Sequence, residues 1–336
     1  MKKQYVAVRG MYFEFLSKGR ENTLFTWAPF VIMMCSICAL LWGSAFPCLK
    51  IGFAMMGIEN SVSGKLYFAG TRFFIAGFFM LLWIRATGKK ILLPTIKDYF
   101  IVMILGLFQN AIQYFFFYIG ISNTTGVKAA IISGAGSFFL AFLSPFFFKN
   151  DRLSPIKTMG LILGFCGIII VNFDKDSLDF SFRFLGEGFI VLATLSSTFG
   201  ILLVKKFSLE IFPPLLAGYQ LVSGSVIMLV CALFLEPPHN IVISGEATAL
   251  TLYLSFVSAA AFSLWYSLIK YNQLTKIAVY RFLIPVFAAF ESALLLAEET
   301  IAVNAMAALF LVSVGIILTS REPDKTLPEL FRLPKP

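Results

Sequence analysis

The chain has 336 residues, of which 59% are hydrophobic and 16% aromatic, while 13% are charged and the mean hydropathy is +0.86. A soluble domain carries about 25% charged residues, so this composition excludes an ordinary water-soluble protein. The net charge of +9 does not mark a nucleic-acid partner either, because the basic residues sit in the gaps between apolar runs.

Those runs approach the roughly 20 residues a helix needs to cross about 30 Å of hydrocarbon. They fall near 28–49, 66–85, 99–121, 128–148, 155–173, 185–205, 213–235, 248–270, 276–297 and 301–320. Backbone polar groups in lipid must pair internally, and no alternating barrel pattern occurs, so helices are expected. The reading is an all-α membrane protein with ten transmembrane helices.

Residues 1–27 read as a cytoplasmic N-terminal segment. The charged stretch is long and no small-residue cleavage site follows an apolar core, which excludes a signal peptide. Within it, Tyr5, Val8, Tyr12, Phe15 and Leu16 share one face, as an interfacial helix requires. The first span holds Trp42, Pro47 and a C-x-x-C at Cys35 and Cys38. With no second cysteine pair, that motif reads as small buried hydrophobes.

The second span carries Arg72, and the third the polar stripe "LFQNAIQYFFFYIG". On an α-helix Gln109 and Gln113, four residues apart, share a face with Asn110 beside them. Amides both donate and accept, which suits a zwitterion or a polyol. Tyr114 and Tyr118 follow. The fourth span has the small run "SGAGS" (133–137) and Pro145. Glu187 opens the sixth span, where an acid suits the helix dipole. Trp265 and Tyr266 lie in the eighth span, and Arg281, Pro285 and Glu291 in the ninth. Pro47, Pro145 and Pro285 remove backbone bonds where a kink can serve gating. The tail, 321–336, is expected to be cytoplasmic and, with its prolines, disordered.

With the N-terminus inside, only Lys50, Lys65, Lys128, Lys175 and Arg183 face outward, and Arg72 and Arg281 lie within spans. The remaining Lys and Arg residues all face inward, a positive-inside pattern that places both termini in the cytoplasm. Basic loops then sit near anionic head groups of a cell membrane.

The chain also repeats itself at an offset of 148 residues. "AGTRFFIAG" at 69–77 lies over "AGYQLVSGS" at 217–225, Tyr118 over Tyr266, Lys128 over Lys276 and Asp151 over Glu299. Each half, 28–173 and 185–320, has five spans, an odd number, so the two would be inverted repeats joined by an extracytoplasmic linker at 174–184. Two similar bundles of opposite topology can exchange conformations, which is what alternating access needs. Gln109, Asn110 and Gln113 correspond to Val257, Ser258 and Ala261. A polar feature on one half alone is where specificity is expected.

"LLWGSAFPCLKIG" (40–52), "AGTRFFIAGFFM" (69–80), "FFFKNDRLSPIKTMGLILGFCGIIIV" (146–171), "LGEGFIVLATLSSTFGILLVKK" (185–206) and "LIPVFAAFESALLLAEETIAV" (283–303) resemble EamA-type members of the drug/metabolite transporter superfamily. The likeness covers nearly all of 28–320. It implies a ten-helix basket around a central cavity, built mainly from the first, third and fourth spans of each half. It also implies export of small metabolites such as amino acids, without ATP. Asp151 stands where the family often has glutamate, and Glu291 where an apolar or small residue is usual.

A charge at mid-bilayer costs roughly 2.5–3.5 kcal/mol on insertion scales, so Arg72, Arg281 and Glu291 should avoid lipid. Arg281 and Glu291 are about 15 Å apart along a helix and cannot pair. Arg72 and Glu291 sit at similar depth and are expected to form an ion pair or to engage substrate in turn. Glu291 is alternatively a proton carrier. Arg281, nearer the cytoplasmic end, is expected to snorkel there. Trp42, Tyr114, Tyr118, Trp265 and Tyr266 are candidates to wall the cavity with Gln109, Asn110 and Gln113.

No cofactor is expected. His239, the sole histidine, lies in an outer loop, and no phosphate-binding loop or nucleophile elbow occurs. A membrane-embedded enzyme or a channel is the rival of another class. Among transporters the rival is a sugar-phosphate or nucleotide-sugar antiporter, whose dianionic substrates would want clustered cations. The expected partners are a small-molecule substrate, the bilayer and, as an open option, a second copy of the chain.

Overall fold

The computed structural model describes residues 24–124, 129, 132–149, 151–171, 182–235, 241–295 and 303–320. The expected interfacial helix, the 174–181 part of the linker, His239, Glu299 and the tail lie outside them. The described elements are all helical: α1 (Ala28–Met56), α2 (Val62–Ala86), α3 (Ile96–Gly106), a π turn (Leu107–Ile112), α4 (Gln113–Ser122), α5 (Gly136–Phe147) and α6 (Pro155–Val171). A second π turn (Phe184–Gly188) leads into α7 (Phe189–Phe207), followed by α8 (Pro213–Leu235) and α9 (Gly245–Tyr271). The chain ends with α10 (Leu274–Ile277), a 3-10 turn (Ala278–Phe282), α11 (Leu283–Leu295) and α12 (Val303–Ser320).

Among the described residues, 7 helices are long and apolar enough to cross a bilayer: Ala28–Met56, Val62–Ala86, Ile96–Ser122, Phe184–Phe207, Pro213–Leu235, Gly245–Tyr271 and Leu274–Leu295. The other three expected spans coincide with shorter apolar helices at Ile132–Phe147, Pro155–Ile170 and Met306–Thr319. Their outer faces carry bare rings such as Phe78, Phe146, Phe234 and Phe310. A helix that is apolar all round suits lipid on one side and packing on the other. The chain is a multi-pass membrane protein.

Local signals set the ends. Gly57, at φ +68°, closes α1, with Ile58 N–H donating to Phe53 O at 3.0 Å and Gly57 N–H to Ala54 O at 3.2 Å. That is a Schellman end, which favours glycine. Thr95 and Asp98 form a reciprocal capping box at the start of α3. Lys205 donates to the carbonyls of Ile269, Lys270 and Asn272, satisfying acceptors that the end of α9 leaves open.

The closest helix pairs are α2 with α8 and α6 with α12. Both rest on small residues, as membrane helices with no hydrophobic drive between them require. A Cβ on Gly77 would lie 2.7 Å from Gly218 O, and one on Gly70 would lie 3.3 Å from Ser225 O. Likewise a Cβ on Gly160 would lie 2.7 Å from Gly315 O, and one on Gly167 would lie 3.1 Å from Ala308 O. As α2 and α6 run forward, their contacts on α8 and α12 run backward, so both pairs are antiparallel.

Candidate functional site

An aromatic network occupies the interior where α1, α2, α4 and α9 meet. The Trp42 ring lies 5.5 Å from both Trp265 and Phe262, and Phe262 lies 5.8 Å from Tyr266. Phe73 links this group to α4, with centroids 6.4 Å from Phe262 and 5.0 Å from Tyr114; Tyr114 is 5.7 Å from Tyr118. Five expected aromatics, Trp42, Tyr114, Tyr118, Trp265 and Tyr266, therefore fall into one cluster. Phe73 and Phe262 complete it. Trp42 and Tyr114 are only half-buried, whereas Phe73, Tyr118 and Tyr266 are sealed.

The amide stripe divides among different neighbours. Residues 107–112 form a π turn, whose i→i+5 bonds make four residues fall short of a full turn. Gln109 and Gln113 thus fall a little short of one full turn apart, where an α-helix would carry them a little past it. Gln109 points at α7, where a Cβ on Gly200 would collide with its Oε1. Asn110 is fully buried and its Oδ1 accepts from Gln220 Nε2 on α8. Gln113 is half-buried, and its Oε1, like that of Gln109, has no hydrogen-bond partner.

Gln220 was not among the expected site residues. It is fully buried, and its Oε1 accepts the Tyr266 hydroxyl at 2.7 Å. A lone glutamine inside an apolar run carries little signal of its own. The repeat does carry one, since Gln220 lies over Arg72 in the register of the two halves.

Arg72 and Glu291 do not form the expected ion pair. The Arg72 guanidinium stacks over the Phe73 ring at 4.4 Å and sits beside the Tyr114 hydroxyl. Glu291 instead turns to α1, where a Cβ on Gly43 would lie 2.6 Å from its Oε2. Arg72 Nε and Glu291 Oε2 are both buried, and among the described residues neither has a hydrogen-bond partner. Equal depth did not bring the two together because they face different neighbours around their helix axes.

Arg281 does not snorkel to the inner rim. It lies in the 3-10 turn, and its guanidinium nitrogens are 3.6 and 3.8 Å from the point a Cβ on Gly136 would occupy. Its Nη1 is buried and unpartnered. Glycine at 136 leaves room for the side chain to point across to α5 rather than toward solvent.

Pro47 and Pro145 lie inside α1 and α5. Pro285 stands in the first turn of α11, directly after the 3-10 turn. Cys35 and Cys38 are fully buried, and the Cys38 thiol points to Ala261 O at 3.7 Å. Glu187 accepts the Arg183 N–H at 2.7 Å and the Thr124 hydroxyl at 2.6 Å, the capping role its place suggested.

The EamA-like transporter family matches this chain over residues 29–173 and 184–321. An uncharacterized transporter of Archaeoglobus fulgidus is 23% identical over 86% of this chain and 96% of its own length. Another, of Synechocystis sp., is 27% identical over 82% of this chain and 86% of its own. A WAT1-related chloroplastic protein of Arabidopsis thaliana is 23% identical over 80% of this chain and 63% of its own. A solved crystal structure superposes with a TM-score of 0.72 at 16% identity, covering 86% of this chain and 98% of that one, a likeness of fold.

Proposed function

Because this chain belongs to the EamA-like transporter family, within the drug/metabolite transporter superfamily, we propose that it exports a small metabolite by alternating access without ATP. The substrate class is amino acids and related neutral or zwitterionic compounds. The halves 28–173 and 185–320 are inverted five-helix repeats, ten spans in all, in a cell membrane with both termini cytoplasmic. The family and the relatives named transporters point away from an enzyme.

One observation carries the repeat reading. At the offset of 148, Gly70 corresponds to Gly218, Gly77 to Ser225, Gly160 to Ala308 and Gly167 to Gly315. Gly77 meets Gly218 while Gly70 meets Ser225, and Gly160 meets Gly315 while Gly167 meets Ala308. Each contact is thus answered by its own equivalent, the reciprocity of a two-fold interface. Two unrelated bundles would have no reason to show it twice. An axis of this kind makes the inward-open and outward-open arrangements equivalent exchanges of the halves. The aromatic network, with Arg72 Nε and the Tyr118 hydroxyl left without hydrogen-bond partners among the described residues, supports a central binding cavity between them.

Counterflow in proteoliposomes tests the function. Vesicles preloaded with an unlabelled amino acid should take up the labelled one transiently above its equilibrium level. Uptake that never overshoots for any amino acid or neutral metabolite rejects the proposal, and uptake that is unsaturable indicates a channel.

A further inference from the structure

Three polar positions recur across the two halves, and in one of the two equivalent clusters the side chains bond to one another, with Asn110 Nδ2 alone left without a partner among the described residues. Gln220 on α8 accepts the Tyr266 hydroxyl at 2.7 Å and donates to Asn110, and all three side chains are fully buried. At the repeat offset Gln220 corresponds to Arg72 on α2, Tyr266 to Tyr118 on α4, and Asn110 to Ser258 on α9. The substitution of serine for asparagine matters. Ser258 is shorter, and its hydroxyl donates to Leu254 O at 2.8 Å, one turn back on its own helix. Arg72 and Tyr118 are 3% and 2% exposed, yet among the described residues Arg72 Nε and the Tyr118 hydroxyl have no hydrogen-bond partner.

The chemistry of the unpartnered atoms narrows what suits them. Both can donate a proton, so the complementary group is an acceptor. Arg72 is permanently charged, and among the described residues no carboxylate pairs with it. A buried cation left without an opposite charge is costly, so the acceptor should be anionic. Guanidinium and phenol together match a planar two-oxygen anion, with one oxygen on Nε–H and the other on the tyrosine O–H. Phe73, Tyr114 and Phe262 stand beside them with apolar ring faces, suited to the carbon skeleton of a small organic acid.

We propose that Arg72 and Tyr118 form the subsite for the carboxylate of the transported metabolite, with Gln220, Tyr266 and Asn110 as its closed structural counterpart. The inference rests on the transporter reading above and deepens it. The scaffold carries two equivalent positions, and the arginine with its short neighbour leaves the first to a ligand. The glutamine with its asparagine ties the second to the bundle.

The test uses the purified full-length chain, titrated by thermal shift with each of the common L-amino acids and its carboxamide, and with benzoate and benzamide. At least one carboxylate should bind, and its amide should bind about tenfold to a hundredfold more weakly. Arg72→Gln, which copies the second half, should bring that ratio close to one. Tyr118→Phe should narrow it by about tenfold if Arg72→Gln fails to fold. A purely structural arginine would alter stability without touching the carboxylate-to-amide ratio. Equal binding of acids and amides, no binding by any probe, or a ratio retained in both variants would each overturn the subsite. Counterflow with no carboxylate preference defeats this inference alone, whereas absent counterflow defeats the transport reading.

Discussion

Asp151, in the connection between α5 and α6, accepts the backbone N–H of Leu274 at 2.6 Å. The same carboxylate takes the Thr275 N–H at 3.2 Å, the Thr275 hydroxyl and the Ser144 hydroxyl, so one buried acid caps the start of α10 and fastens it to the end of α5. Lys157 joins the clasp through Gln273 and Thr275. Leu274 and Thr275 stand in the first turn of the ninth span, where backbone donors have no helical acceptor.

Asp151→Ala would leave those donors buried and unmet, at a cost of roughly 2–4 kcal/mol. The expected result is a melting midpoint several degrees lower in detergent, with Asp151→Glu intermediate because the acid is kept and its reach is altered. An Asp151→Ala midpoint equal to that of the wild type would show that the clasp contributes nothing to stability.

Glycine packing gives a ranked prediction. A Cβ on Gly160 would collide with Thr319 Oγ1 and sit 2.7 Å from Gly315 O, whereas one on Gly167 would meet Val312 Cγ2 at 2.9 Å and Ala308 O at 3.1 Å. Gly160→Ala should therefore destabilise by about 2–3 kcal/mol and Gly167→Ala by about 1 kcal/mol. Thermal denaturation of the two variants side by side measures the order. A reversed order would mean that α6 and α12 do not approach as closely as their backbones indicate.

Much of this fold was legible because apolar length is a strong signal in lipid. The span from 213 to 235 coincides with α8, and the span expected at 66–85 with α2. The aromatic candidates Trp42, Tyr114, Tyr118, Trp265 and Tyr266 also met, and of these Tyr118 and Tyr266 were marked by the repeat. Orientation around each helix axis was not legible. Depth along a span follows from counting residues, but the direction of Arg72 or Glu291 depends on neighbours such as Phe73 and Gly43 that only packing selects. The π turn at 107–112 was equally hidden, because an i→i+5 bond leaves no pattern in residue types.

Gln220 separates a structural role from a binding one. Replacing it with leucine would strand the Tyr266 hydroxyl and the Asn110 amide in a sealed interior, at about 2–4 kcal/mol. Gln220→Leu should thus lower the melting midpoint while leaving substrate preference in counterflow unchanged. A changed preference would place Gln220 in contact with substrate and remove the distinction drawn between the two halves.

The last prediction concerns Gly43 and Glu291. A Cβ at Gly43 would lie 2.6 Å from Glu291 Oε2 and 3.0 Å from both Ala288 N and Phe287 Cβ, so three contacts oppose it, of which only the carboxylate is the movable end of a side chain. Gly43→Ala should destabilise by about 1–3 kcal/mol, partly through the carboxylate. Shortening the acid removes that part of the conflict. In a double-mutant cycle, Gly43→Ala with Glu291→Ala should therefore cost less than the two single changes together, by about 0.5–1 kcal/mol. The backbone of Ala288 sets a floor that no change at 291 can lower. If the costs simply add, Glu291 yields freely to the new methyl group and does not depend on the glycine for its place against α1. If the pair couples as expected, transport by Glu291→Gln becomes the informative measurement, since glutamine keeps the shape that Gly43 accommodates and removes only the charge.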